Sequence, residues 1–139
     1  MIEDSRFTRT LVVHPHIAGK KSRRSPQSQL EEAARLALAL DLQVMDKIIV
    51  PLRQITPATY IGKGKVLEIG EIAAEKEARL VVMDCKLSPV QQRNLEKAWK
   101  TKVIDRTALI IEIFGARART SEGKLQVELA SLEYQKSRQ

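Results

Sequence analysis

Apolar positions along this chain switch repeatedly between two spacings, and the switches lay out the elements. Residues 8–14 (TRTLVVH) form a short β-branched run that reads as a first strand, with Pro15 expected to end it and Gly19-Lys20-Lys21 opening a basic loop. Ser25-Pro26 then starts a helix, serine at the N-cap and proline at the first helical position. Leu30, Ala33, Ala34, Ala37, Leu38 and Leu40 give that helix a wide apolar face, which ends near Asp41. Residues 42–50 (LQVMDKIIV) read as a second strand stopped by Pro51, and residues 52–61, with Pro57 and no period, as a loop.

Over residues 64–78, Val66, Ile69, Ile72 and Ala73 mark an amphipathic helix. Residues 80–84 (LVVMD) are apolar up to the aspartate, the mark of a strand covered on both faces. Ser88-Pro89 repeats the helix-start signal, Gln91 stands at the capping-box position, and the pattern runs through Trp99. A short strand over 102–104 leads to an apolar helix over 107–114 (TALIIEIF), expected to end at Gly115. In the last segment, 121–138, Leu125, Leu129 and Leu132 share one stripe beside Val127 and Tyr134.

Strands alternating with helices of this length predict an α/β fold: a four-stranded, mainly parallel sheet flanked by four helices. The last helix follows a completed sheet, and its pattern is still running where the sequence stops. Its stripe needs a partner: it folds back on the domain, or the chain is the front part of something longer, or it pairs two copies into a homodimer.

With 139 residues and 43% hydrophobic composition, the chain can bury a real core. Its single cysteine, Cys85, excludes an internal disulfide, and two histidines cannot complete a structural zinc site with it. No apolar run approaches the roughly 20 residues of a membrane span, and the polar start MIEDSRFTR has no signal-peptide core. The net charge of +7 is unevenly placed. Residues 1–24 hold six basic and two acidic groups, residues 25–113 thirteen and twelve, and residues 114–139 five and three. Basic flanks on a nearly neutral body suit a domain that meets a polyanion, and equally suit a solvated surface.

A P-loop requires G-x-x-x-x-G-K-[ST], whose amides cradle phosphates. Gly62-Lys63-Gly64-Lys65 lacks the spacing, and Gly123-Lys124 is followed by Leu125, so neither qualifies. Cys85 could pair with His14 or His16 as a nucleophile, although a buried, inert thiol is the commoner outcome. His14, Asp84 and Ser88 fall at strand carboxyl ends, where open α/β sheets bind ligands, and the helix that Ser88 begins could hold a phosphate; strand ending and simple capping are the plainer readings. Lys63 and Lys65, spaced by glycines beside Tyr60, suit RNA backbone contact with one stacking ring. Such lysines gain nothing from the positive end of a helix, which favours a binding role over a solvated helix start. Arg117, Arg119 and Lys124 form a second basic cluster around the expected break before the last helix.

Several of these segments together resemble the HflX family of ribosome-associated GTPases. They are residues 57–65 (PATYIGKGK), 87–96 (LSPVQQRNLE), 103–107 (VIDRT), 111–114 (IEIF), 118–120 (ART) and 125–130 (LQVELA), in that order. The resemblance implies an N-terminal α/β domain over residues 1–118 and, over 119–139, the start of a long helical pair. A GTPase domain, with its GTP and Mg, would follow outside this sequence. It further implies a cytoplasmic protein that binds the large ribosomal subunit and splits or rescues stalled ribosomes, its N-terminal region docking on ribosomal RNA. For this chain it predicts no enzyme activity and no cofactor of its own, with the attached GTPase domain as a further partner. Two alternatives remain: the domain binds a nucleotide near His14, Asp84 and Ser88, with weak phosphate hydrolysis, or it regulates the attached GTPase.

Overall fold

A computed structural model of the chain describes residues 8–19 and 24–118. The elements run β1 (Arg9–Ile17), α1 (Pro26–Leu38), β2 (Gln43–Leu52), α2 (Lys63–Glu75), β3 (Leu80–Met83), α3 (Pro89–Trp99), β4 (Lys102–Asp105) and α4 (Arg106–Ala118). The four strands form one sheet in the order β2-β1-β3-β4, and every pairing is parallel. The expected 121–138 helix, its apolar stripe and any pairing through it lie outside the described residues.

Alternation along the inner strands decides which helices lie on which face. Leu11, Val13, Val81, Met83 and Val103 point to one side and pack with Ile69 and Ala73 of α2 and Leu95 and Trp99 of α3. Val12, Leu80, Val82 and Ile104 point to the other and meet Leu30, Ala33 and Ala37 of α1 and Leu109 and Ile113 of α4. The result is three layers with β1 and β3 buried on both faces, which is why their sequences are apolar at consecutive positions. Each fully buried Leu or Ile side chain contributes about 1.5–3 kcal/mol.

The helix starts follow their caps. Ser25 Oγ accepts the Ser28 amide at 3.1 Å, with Pro26 in the first turn. Ser88 and Gln91 close a reciprocal capping box, the two hydrogen bonds measuring 3.1 and 3.0 Å. At the β4–α4 junction there is no loop: Asp105 ends the strand and its Oδ1 accepts the Ala108 amide at 3.0 Å. Gly62 caps α2 with no side-chain hydrogen bond.

Three expected boundaries shift. Pro15 does not end β1, which continues to Ile17, because β3 pairs with β1 only from Thr10 to Val13. Beyond that point β1 bonds to β2 alone, so a residue without an N–H costs no ladder bond on its other side. Pro51 is likewise tolerated inside β2 because β2 is an edge strand. Gly115 does not end α4: the helix runs to Ala118, with Ala116 packed on the core and Ala118 buried. Arg117 therefore sits on the last turn of α4 rather than at a break.

Candidate functional site

In this strand order β1 and β3 are neighbours, and the chain leaves them in opposite directions, to β2 and to β4. A crevice at the carboxyl ends of two such strands is where open α/β sheets bind ligands. A cleft of about 240 Å³ lies there, lined by His14, Pro15, His16, Ile17, Gln29, Tyr60, Asp84 and Cys85.

Two of its lining residues, His14 and Asp84, belong to a charge network built from four elements. Asp84, just after β3, is fixed by its amide donating to the Val13 carbonyl at 2.7 Å. Its side chain is only 2% exposed and is held on both oxygens, by His14 Nδ1 at 2.8 Å and by a nitrogen of the Arg106 guanidinium at 2.8 Å. Arg106, the first residue of α4, also reaches Glu32 on α1, and Glu32 in turn pairs with Arg24. Hydrogen bonds from Arg106 and then Arg24 hold the Glu32 carboxyl down at about 2, far below its ordinary value. The same pairing raises the Arg106 guanidinium.

With Asp84 accepting from Arg106, the ring hydrogen of His14 belongs on Nδ1. Among the described residues no side-chain polar atom is both buried and unpaired, so Nε2 of His14, which has no partner there, opens to the cleft. Cys85 lies alongside, but burial, reinforced by Asp105 and Asp84, pushes its thiol far up. A thiol kept neutral is a poor nucleophile, and His14 is bonded to Asp84 rather than to the sulfur. Both observations weigh against a cysteine hydrolase and fit the buried, inert thiol expected as the commoner outcome. Among the described residues no three His, Cys, Asp or Glu side chains converge on a metal position.

The sequence-predicted residues fall into separate places. His14 and Asp84 meet directly. Ser88 does not line the cleft with them: its hydroxyl oxygen accepts from the Gln91 amide, its amide donates to the Gln91 side chain, and the preceding Leu87 amide donates to Asp105 Oδ2 at 3.2 Å. Tyr60 lines the cleft with His14, bringing together what the sequence treats as two sites, and burial raises its phenol. Lys63, the first residue of α2, is exposed, while Lys65 is partly engaged with Glu68 at 3.1 Å. Arg117 is exposed on α4. Arg119 and Lys124 lie outside the described residues.

Between Thr56 and Tyr60, just before Lys63, the backbone is held in one shape. Thr56 and Tyr60 exchange hydrogen bonds of 2.9 and 2.8 Å across a tight turn, with Tyr60 in the left-handed region at φ 68. Helix α3 then grips the turn: Gln91 donates to the Thr56 carbonyl at 3.3 Å and Asn94 to the Ala58 carbonyl at 2.9 Å. Further along, the Trp99 indole donates to the Val66 carbonyl of α2 at 2.8 Å. The segments 57–65 and 87–96 thus form one structural unit.

Sequence reading missed the Glu32–Arg106–Asp84 clamp, and also Gln29 as part of the cleft wall. The available signal for Arg106 was its place in VIDRT at the end of a strand, two residues before the apolar part of a helix. Nothing local in α1 marks Glu32, whose role exists only once α1 and α4 share a face.

Comparison with known proteins agrees with this architecture. The family model for the N-terminal region of GTP-binding GTPases matches residues 27–115. GTPase HflX of Magnetococcus marinus is 48% identical over 119 residues, covering 86% of this chain and 28% of that protein. GTPase HflX of Escherichia coli is 43% identical over 105 residues, covering 76% of this chain and 25% of that protein. The chain thus spans about a quarter of the length of these relatives. Among solved structures, a GTP-binding protein from the archaeon Sulfolobus solfataricus in complex with GDP shares the fold. Its TM-score is 0.62 at 24% identity, over 91% of this chain and 37% of that one. With the family model matching most of a three-layer body built from the segments it spans, the chain belongs to the GTP-binding GTPase N-terminal family.

Proposed function

We propose that this chain is a non-catalytic RNA-binding module, the N-terminal domain of a translational GTPase that docks on ribosomal RNA of the large subunit. In that role it serves the splitting or rescue of stalled ribosomes in the cytoplasm, while GTP and Mg belong to a GTPase domain outside this sequence. The observation that carries the reading is the 56–65 segment. Its backbone is pinned to α3 at Thr56 and Ala58 by Gln91 and Asn94, while Lys63, at the start of α2, stands exposed with no ion pair among the described residues. A loop already ordered loses little entropy on binding, so its phosphate contacts translate into affinity. Arg117, with Arg119 and Lys124 beyond it in sequence, supplies a second set of cations. The neutral Cys85 thiol and the self-paired charges at the cleft support a binding role over a catalytic one.

Co-sedimentation of the chain with purified large ribosomal subunits over a salt series tests this. Binding should weaken steeply with salt, and Lys63→Ala/Lys65→Ala should flatten the slope by about one to two, one per lost phosphate contact. Absence of binding at low salt, or binding indifferent to salt, would overturn it.

The cleft favours a second reading, a nucleotide held beside His14 Nε2 and the Tyr60 ring at the switch point between β1 and β3. Isothermal titration with ATP and GTP separates the two: heat of binding abolished by Tyr60→Ala favours the cleft, and no heat with either nucleotide removes it.

A further inference from the structure

The far end of the molecule from the cleft carries charge that neither reading above uses. Helices of a parallel sheet run back against the strands, so α2 and α3 end where β3 and β4 begin. Lys76 follows the last turn of α2, and Lys100, in the left-handed conformation at φ 51, follows that of α3. Arg79 immediately precedes Leu80, and Leu80 stands opposite Lys102 across the β3–β4 pairing. The Arg79 amide donates to the Arg9 carbonyl at 2.8 Å, which fixes it next to β1. Neighbouring strands lie about 4.8 Å apart, so these cations crowd onto adjoining elements.

None of Lys76, Arg79, Lys100 and Lys102 makes an ion pair among the described residues, whereas nearby acids are committed. Glu77 pairs with Arg9, and Glu96 accepts the Val103 amide at 3.0 Å. Glu75, on the last turn of α2, and Asp41, just before β2 on the same sheet edge, are exposed acids without an ion pair among the described residues. The helix dipoles account for one cation at each helix end, Lys76 and Lys100. They do not account for Arg79 and Lys102, which open two adjacent strands.

We propose that Lys76, Arg79, Lys100 and Lys102 form a phosphate-contacting surface for folded RNA, distinct from the Lys63 end of α2. It rests on the reading that RNA is the partner. Helix α2 spans 13 residues, which separates the two surfaces by about 20 Å at 1.5 Å per residue. One domain can therefore touch two segments of RNA backbone at once. The exposed large apolar side chains of α2 and α3, Leu67 and Val90, sit in the N-terminal halves of those helices, away from the four cations. Without aromatic or apolar anchors the patch lacks the core of a protein interface and the means to insert in a lipid surface. Its chemistry is charge alone, as sequence-independent contact with duplex RNA requires.

The test compares three proteins in the large-subunit salt series. The first is the unaltered chain. The second carries Lys76→Gln, Arg79→Gln, Lys100→Asn and Lys102→Gln, asparagine being chosen because it tolerates positive φ. The third, matched in charge, carries Arg35→Gln, Lys47→Gln, Arg53→Gln and Lys86→Gln. The expected result is a fall of about 3 in the slope of log affinity against log salt for the second protein, with the third within about one of the original. An unchanged slope in the second protein while the original binds would overturn this surface alone. Equal losses in the second and third would reduce it to general charge. Failure of the original to bind at low salt would overturn both the surface and the reading beneath it.

Discussion

At the carboxyl edge of the sheet, Arg24, Glu32, Arg106, Asp84 and His14 form a continuous chain of pairs around a side chain that is 2% exposed. At the amino edge, Lys76, Arg79, Lys100 and Lys102 have no such partners among the described residues, and three of the four are exposed. The body from residue 25 to 113 carries thirteen basic and twelve acidic groups, so this contrast is one of arrangement, not of composition. Charges paired with each other fix α1, β1, β3 and α4 in register and have little left for a ligand. Charges left in water contribute little to stability, and their field remains available to an approaching polyanion. The edge where α/β sheets usually do their work is here largely spent on holding the domain together.

The sharpest way to break that comparison is at Asp84. Asp84→Ala removes the acceptor for both His14 and Arg106 and leaves a cavity between β1 and β3. It should cost about 3–5 kcal/mol, as expected when one partner of a buried charge pair is lost. Urea unfolding followed by Trp99 fluorescence measures it. A loss below about 1 kcal/mol would mean that the network is surface decoration, not a structural clamp. Asp84→Asn, which keeps the shape and one acceptor, should fall between the two.

How much of this was visible in the sequence follows from the range of each signal. Helix starts at Ser25-Pro26 and Ser88-Pro89 are set by groups within four residues, and both were legible, as was the two-faced burial of residues 80–83. The strand ends were misplaced because proline's cost depends on whether a neighbouring strand needs its N–H, which is a property of the sheet. Gly115 signals a stop by its propensity, but packing of Ala116 and Ala118 outweighs the roughly 1 kcal/mol a mid-helix glycine costs. His14, Asp84 and Tyr60 could be named singly from position and type. That they share one cleft, and that Glu32 closes the network 74 residues before Arg106, comes from strand order and helix side. The grip of Gln91 and Asn94 on the 56–58 backbone was equally out of reach, since those partners are 35 and 36 residues apart.

A smaller effect should follow at Arg106. Arg106→Gln deprives Glu32 and Asp84 of their shared cation, yet the Arg106 side chain is 39% exposed and water replaces part of what is lost. About 1–2 kcal/mol is expected, the lower range for hydrogen bonds to charged groups. A cost equal to that of Asp84→Ala would place the whole clamp in Arg106 and leave His14 without a share.

The pH dependence sharpens the same edge. Glu32 titrates at about 2 in the folded chain, because Arg106 and Arg24 bind its charged form, against an ordinary 4.5. Its folded value is depressed, so the unfolded chain takes up the proton first as pH falls. The stabilisation is full above pH 4.5 and is lost progressively towards pH 2. Glu32→Gln should be less stable than the parent at pH 6, with the gap narrowing as the pH drops through that window. A gap that stays constant from pH 6 to pH 3 would assign the effect to packing of the Glu32 stem.

At the amino edge the expectation for stability is almost nothing, and that is what makes it informative. Replacing Lys76, Arg79 and Lys102 by Gln removes no ion pair among the described residues, so each should stay within about 0.5 kcal/mol of the parent. Lys100→Asn should be neutral or slightly stabilising, because asparagine accepts the φ of 51 with less strain than other side chains and sits well just past a helix end. The two edges then separate cleanly by urea unfolding. Changes to Asp84 and Arg106 move the midpoint, whereas the amino-edge set leaves it in place. A loss of more than 2 kcal/mol from the amino-edge set would show those side chains holding the ends of α2 and α3 against β3 and β4. In that case their exposure could not be taken as freedom to bind, and the contrast between the edges would collapse.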